Sequence, residues 1–303
     1  MNRYWPLLLL LASVWGASYL FIKVAVEGGL EPAPMMCARA AIAAAVLFAY
    51  VVRGLGRARA LRELRASWRQ WVAIGAIANA VPFWLVAWGE KHVDSGIAAI
   101  AQSTVPLFTI LLGLRFLPHE PLSRGQLLGF GLGLLGVGVL AGGHPDGGRW
   151  AVAGTLAVVL SSLAYASGNV VGQRSVSGTP GPVLATGAMT AAALTLLPFA
   201  ILQAPTSVPD ADAILSLLAL ALLGTALAQL VLYRMLNRFG ARRVSLVTYL
   251  MPGFALVYGA VLLDEAITAA ALAGLALILG GVALGSGAAR RSPAPEPAEA
   301  AVR

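Results

Sequence analysis

Enzymatic group transfer, metal binding and proton relay each require titratable side chains gathered at one place, and in this chain those side chains are dispersed. Glu27, Glu31, Glu90, Asp94, Asp264 and Glu265 fall at the ends of apolar runs or in the short stretches between them. His92, His119 and His144 belong to three different loops, and Cys37 is the single cysteine. No zinc-ligand spacing and no internal disulfide can be built from that set. The reading is therefore a non-enzyme with no metal and no cofactor. A membrane acyl or glycosyl transferase is the competing class, disfavoured because its loops would have to supply an acid–base constellation.

The side chains that can recognise a solute are uncharged. Trp15, Ser18, Tyr19, Asn79, Trp84, Gln102, Tyr165, Asn169, Gln229 and Tyr249 all interrupt otherwise apolar stretches. Amides surrounded by hydrocarbon need partners, so Asn79, Gln102, Asn169 and Gln229 must face other helices or a wet cavity. Helix–helix glue and cavity lining are equally open for each amide. An uncharged aromatic cavity suits a zwitterionic or apolar-tailed solute better than a phosphate ester. Arg39 is the one charge well inside an apolar run, about 9 Å past its start at 1.5 Å per residue. A buried arginine marks a functional site by default, but at this modest depth a structural role is favoured. Pro106 and Pro252 each interrupt an apolar run, where a missing N–H kinks a helix. They are candidate hinges, with a static kink as the alternative.

The elements that position these residues are membrane helices. Of 303 residues, 59% are hydrophobic and only 11% charged, against roughly 25% charged in soluble domains. A span needs about 20 apolar residues. Ten fit, at 5–26, 33–52, 70–89, 95–115, 124–142, 150–172, 182–203, 211–233, 243–263 and 269–288. The first is longer than a signal-peptide core and is expected to be retained. With the N-terminus inside, seventeen arginines fall on inner segments. Lys23, Lys91 and Arg149 fall outside, and Arg39 lies within a span. That asymmetry follows the positive-inside rule and puts both termini in the cytoplasm. It also accounts for the net charge of +8 without nucleic acid. In the longest inner loop, Leu61, Leu64, Trp68 and Trp71 recur at helical spacing opposite arginines. A short helix on the lipid surface and a plain basic loop are both consistent with that pattern. Residues 289–303, rich in proline, read as a disordered tail.

Glu120–Val139 matches Glu265–Leu284 at seven of twenty positions, at an offset of 145: Glu120/Glu265, Leu127/Leu272, Gly129/Gly274, Leu132/Leu277, Leu134/Leu279, Gly136/Gly281 and Val137/Val282. Trp5 and Trp150 share that offset, and Pro106 and Pro252 come within one residue of it. Two repeats of five spans, 1–145 and 146–288, must enter the membrane in opposite orientations. Such inverted repeats underlie alternating access in many secondary transporters.

Trp15-Gly16-Ala17-Ser18, Pro32 followed by Arg39, Pro106, Pro252 and the two Glu-led glycine-rich spans resemble the EamA family of the drug/metabolite transporter (DMT) superfamily. The likeness runs over about residues 5–288 and is greatest to YddG-type exporters of aromatic and other amino acids. It implies a ten-helix all-α carrier around a central cavity, with the fifth and tenth helices peripheral and a monomer sufficient. Its implied work is export of amino acids or related metabolites from a bacterial cell, across the inner membrane. The implied partners are a small-molecule substrate and the lipid bilayer. A multidrug pump for lipophilic cations is the alternative within the superfamily. It is disfavoured because no carboxylate lies deep in a span. The same absence, with Glu90, His92 and Asp94 expected at a water-screened outer end, predicts uniport. The cavity is expected between spans 1, 3, 4, 6, 8 and 9.

Overall fold

The computed structural model describes residues 4–116, 124–142, 148–175, 178–205, 207–239, 244 and 246–289. Side chains are described except at 113–116, 169–175 and 286–289. Glu120, the side chain of Asn169 and the tail from residue 290 thus lie outside the described residues. Every described element is helical. The first half contains α1 (Tyr4–Glu27), α2 (Pro32–Leu55), α3 (Arg57–Ala66), α4 (Trp68–Gly75), α5 (Val81–Glu90), α6 (Ser95–Gln102), α7 (Val105–Phe116) and α8 (Arg124–Gly142). The second contains α9 (Gly148–Ser175), α10 (Gly181–Leu202), α11 (Ala211–Ala221), α12 (Ala228–Phe239), α13 (Val247–Leu262) and α14 (Ala269–Ala289).

Eight helices or continuous helical runs are long and apolar enough to cross a bilayer, and α13 and α14 are shorter apolar helices. Their outward faces carry large apolar side chains. Leu127, Leu128, Leu134 and Leu135 on α8, and Leu194, Leu197, Phe199, Ile201 and Leu202 on α10, are all exposed. A patch of that size in water would drive aggregation; in lipid it is the correct surface. The chain is an all-α integral membrane protein.

The run Trp68–Glu90 is not one uniform helix. Between α4 and α5, Ala76–Ala80 winds as a π-helix, and between α11 and α12, Leu222–Leu227 does the same. Their first residues are 146 positions apart, close to the repeat offset. A π segment frees carbonyls from the regular ladder and often marks a functional position. Here a side chain answers in each case. Asn79 Nδ2 donates to Ile74 O at 3.2 Å, and Thr225 Oγ1 donates to Leu220 O at 2.9 Å, both five residues back.

The prolines behave differently from each other. The run 95–116 breaks at Ser103 and Thr104, and Pro106 is the second residue of the new helix α7. There its missing N–H costs little. Pro252 lies inside α13. Symmetric mid-helix kinks are therefore not what the structure shows.

The glycine-rich helices α8 and α14 lie against each other. A Cβ on Gly129 would strike the carbonyl oxygen of Gly281, and one on Gly136 would lie 2.9 Å from the Gly274 carbonyl oxygen. Small residues permit this backbone-to-backbone approach, as at other membrane helix interfaces. The basic loop forms α3, a ten-residue helix capped at Ser67, whose hydroxyl donates to Glu63 O at 2.8 Å. Trp71 Nε1 donates to Leu64 O at 2.8 Å, tying α3 to the run that follows it.

Candidate functional site

A cavity of about 240 Å³ occupies the middle of the bundle. Of the residues singled out from sequence, Trp15, Ser18, Tyr19, Asn79, Gln102, Tyr165 and Gln229 line it. Helical periodicity explains how α1 contributes: Trp15, Ser18, Tyr19 and Ile22 fall on one face at spacings of three and four. The two π segments reach the same space through Asn79 and through Gly224 with Thr225. Phe83, Val105, Thr248 and Met251 fill the remaining wall. Gly224 lets α1 come close, since a Cβ there would lie 2.6 Å from Ser18 Oγ.

Two singled-out residues sit elsewhere. Trp84 stacks on Trp88 with ring centroids 6.4 Å apart and is not part of the cavity wall. Tyr249 packs against the cluster of Ile100, Leu107 and Ile278, while its neighbour Thr248 lines the cavity. One residue is a turn of about 100° on a helix, and sequence alone does not fix that rotation.

Gln102 has little left for a ligand. Its Oε1 accepts from Ser161 Oγ at 2.7 Å, and its Nε2 donates to Ser162 Oγ at 3.1 Å. It fastens the end of α6 to α9 while standing at the cavity edge.

Arg39 brings α2 into the cavity, a span missing from the expected lining set. Its side chain is buried, and its guanidinium lies 4.0 Å over the Phe83 ring. Nε donates to Thr225 Oγ1 at 2.8 Å, and Nη1 makes a longer contact of 3.6 Å with Met36 Sδ. Among the described residues no carboxylate stands within ion-pair distance of it. One hydroxyl thus serves two clients, closing the π segment and holding the cation. Phe83 and Thr225 were not singled out from sequence. The signal for Thr225 is faint: a lone hydroxyl in an apolar run, one position from the counterpart of Asn79.

The expectation of water screening at Glu90 is contradicted. Glu90 is 0% exposed, and neither carboxylate oxygen has a hydrogen-bond partner among the described residues. The neighbouring charges are engaged elsewhere. Lys23 Nζ donates to the Glu90 and Val93 carbonyl oxygens, each at 3.1 Å, and pairs with Glu27 at 3.3 Å. Lys91 pairs with Glu31 at 2.9 Å. Glu265 caps α6, accepting from Ser95 N at 2.7 Å, Ser95 Oγ at 2.8 Å and Gly96 N at 3.2 Å. Asp264, at φ 54°, turns the chain so that Glu265 points there; aspartate tolerates that left-handed backbone better than most residues. His92 stacks on Trp150 at 5.2 Å. Its desolvation, and then the charges of Lys91 and Lys23, hold its imidazole below the usual value.

A bundle of apolar helices long enough to span a bilayer, with a cavity among them, is the architecture of a multi-pass membrane protein. The EamA-like transporter family model matches residues 3–142 and 152–286, and the chain belongs to that family. A Salmonella typhimurium protein named as a probable amino-acid metabolite efflux pump is 28% identical over 287 residues, covering 91% of this chain and 92% of that one. A Streptantibioticus cattleyicolor protein named as a probable terminal-alkyne amino-acid exporter is 29% identical over 287 residues, covering 92% of each. A solved crystal structure superposes with a TM-score of 0.67 at 23% identity, covering 96% of this chain and 99% of the other. That likeness speaks to the fold alone.

Proposed function

We propose that this protein exports amino acids or closely related metabolites across a bacterial inner membrane, aromatic ones among them. In this reading residues 1–145 and 146–288 are inverted five-helix repeats that alternate access to the central cavity. The paired π segments, one per half at nearly the repeat offset, support that architecture. The names of the relatives support the substrate class.

The observation that carries the reading is the cavity's chemistry. Aromatic and amide walls surround one buried guanidinium that has no carboxylate partner among the described residues. A zwitterion supplies what is missing: its carboxylate suits the fork of Arg39, and its apolar tail suits Trp15, Tyr19 and Phe83. Arg39 then has two roles, pinning α2 to the second π segment and receiving the substrate carboxylate. A lipophilic cation fits less well, since it would meet Arg39 and no lining carboxylate. The lining contains no Asp, Glu or His, so the cavity itself offers no carboxylate or imidazole to bind a proton.

Counterflow in proteoliposomes with a panel of labelled amino acids tests the substrate class. Saturable exchange of neutral amino acids is expected. Exchange of quaternary ammonium dyes with no amino acid exchange would overturn it. Reporter fusions after Arg69 and Asp94 test the orientation, expected inside and outside respectively.

A further inference from the structure

We propose that Glu90 is a proton-binding site that couples substrate export to proton movement in the opposite direction. The proposal rests on the transporter reading above and adds an energy source to it.

The first support is enclosure without compensation. The Glu90 side chain is fully buried, and both its oxygens lack a partner among the described residues. A carboxylate left charged in such a place forfeits its hydration and receives nothing in return, so the enclosed group is most cheaply held with its proton on. The surroundings keep it that way. From α1, Lys23 takes backbone carbonyls and Glu27 rather than the Glu90 carboxylate. From the loop before α14, Glu265 is committed to the N-terminus of α6. From α2, Arg39 is committed to Thr225. Tyr19 on α1 also lies within electrostatic range of Glu90. Lys23 and Arg39 hydrogen-bond elsewhere, and among the described residues neither is within ion-pair distance of the Glu90 carboxylate.

The second support is location. Glu90 is one helical turn outward of Val86, which lines the cavity. The helix that ends at Glu90, α5, packs against α9, α1, α2 and α6, with Gly89 against Gly154 at 2.9 Å from a notional Cβ to the carbonyl oxygen. The Glu265 clamp ties this first-half cluster to the second half. An outward path for substrate must part these helices and let water reach Glu90. Hydration favours the charged form, so protonation and the closing of the outer path are linked, and linkage is reciprocal. Glu90 takes a proton from external water while the outer path is open, and the path closes over the neutral acid. When the cavity opens inward, its water reaches Glu90 past Val86, one turn away on the cavity wall, and the rehydrated carboxyl releases its proton to that side. One proton enters for each substrate exported, and no bond other than the carboxyl O–H forms or breaks.

The test uses the full chain in proteoliposomes with labelled phenylalanine as first probe. The membrane potential is clamped by valinomycin and potassium. With the lumen one pH unit more acidic than the bath, wild type should accumulate substrate above equilibrium, up to about tenfold for one proton per substrate, and a protonophore should abolish this. Glu90→Gln should keep counterflow within about twofold of wild type and lose all gradient-driven accumulation. Wild-type counterflow with no response to the gradient, or E90Q accumulation equal to wild type, overturns the proposal. A second readout needs no substrate. At a pH alkaline enough to ionise solvent-exposed carboxyls, the infrared carbonyl stretch of a protonated carboxyl should remain in wild type and in Glu265→Gln, but not in E90Q. The same band in E90Q overturns the assignment. Absence of counterflow with every amino acid, alongside a Glu90-dependent infrared band, would sink the substrate reading and leave the proton site standing.

Discussion

The two π segments use the same backbone device for different ends. In Ala76–Ala80 the amide of Asn79 returns one bond to Ile74 O and leaves its oxygen without a partner among the described residues. In Leu222–Leu227 the hydroxyl of Thr225 returns one bond to Leu220 O and accepts a second from Arg39. The first-half segment thus offers the cavity a polar atom, while the second-half segment is locked to a cation. Two π segments at nearly the same offset in the two halves thus divide the chemistry between them. The prolines teach the same lesson, with Pro106 opening α7 and Pro252 lying within α13.

Substitutions at these positions sharpen or break the contrast. Arg39→Gln should have the largest effect. Losing a buried charge pair with substrate is worth about 2–5 kcal/mol, at least about thirtyfold in counterflow rate at low substrate. Arg39→Lys should recover only part, lacking the planar fork. Full counterflow in R39Q would return Arg39 to a purely structural role. Thr225→Val comes next. It strands Arg39 Nε and the Leu220 carbonyl together, at a cost of about 1–3 kcal/mol, read as a lower melting temperature in detergent and weaker transport. Asn79→Ala should be smallest in stability, roughly 0.6 kcal/mol for one membrane hydrogen bond, with its main effect on the substrate's apparent affinity. If N79A destabilises the protein as much as T225V does, both π segments are purely structural and the division of roles is wrong.

The sequence made some of this legible at a distance. Eight of the expected spans correspond to helical runs long and apolar enough to cross, because the bilayer thickness fixes helix length. Seven of the ten solute-facing candidates do line the cavity, because a polar side chain in a span has few other places to go. Trp84 and Tyr249 do not, since a large aromatic is equally at home in apolar packing. The π segments left no sequence signal beyond one amide and one hydroxyl.

What the sequence determined by itself is the solvent, the fold class and the family, all consequences of composition and of residues close together along the chain. What only tertiary structure decided is which side of each helix faces inward and which charges are shielded. Glu90 shows the difference. By sequence it ends a span beside Lys91 and Asp94, where water is expected. In the folded bundle α1, α6 and α9 close over it, and Lys23, Glu265 and Arg39 are drawn to other partners. Burial depends on the helices that pack around a residue, and those lie far from it along the chain.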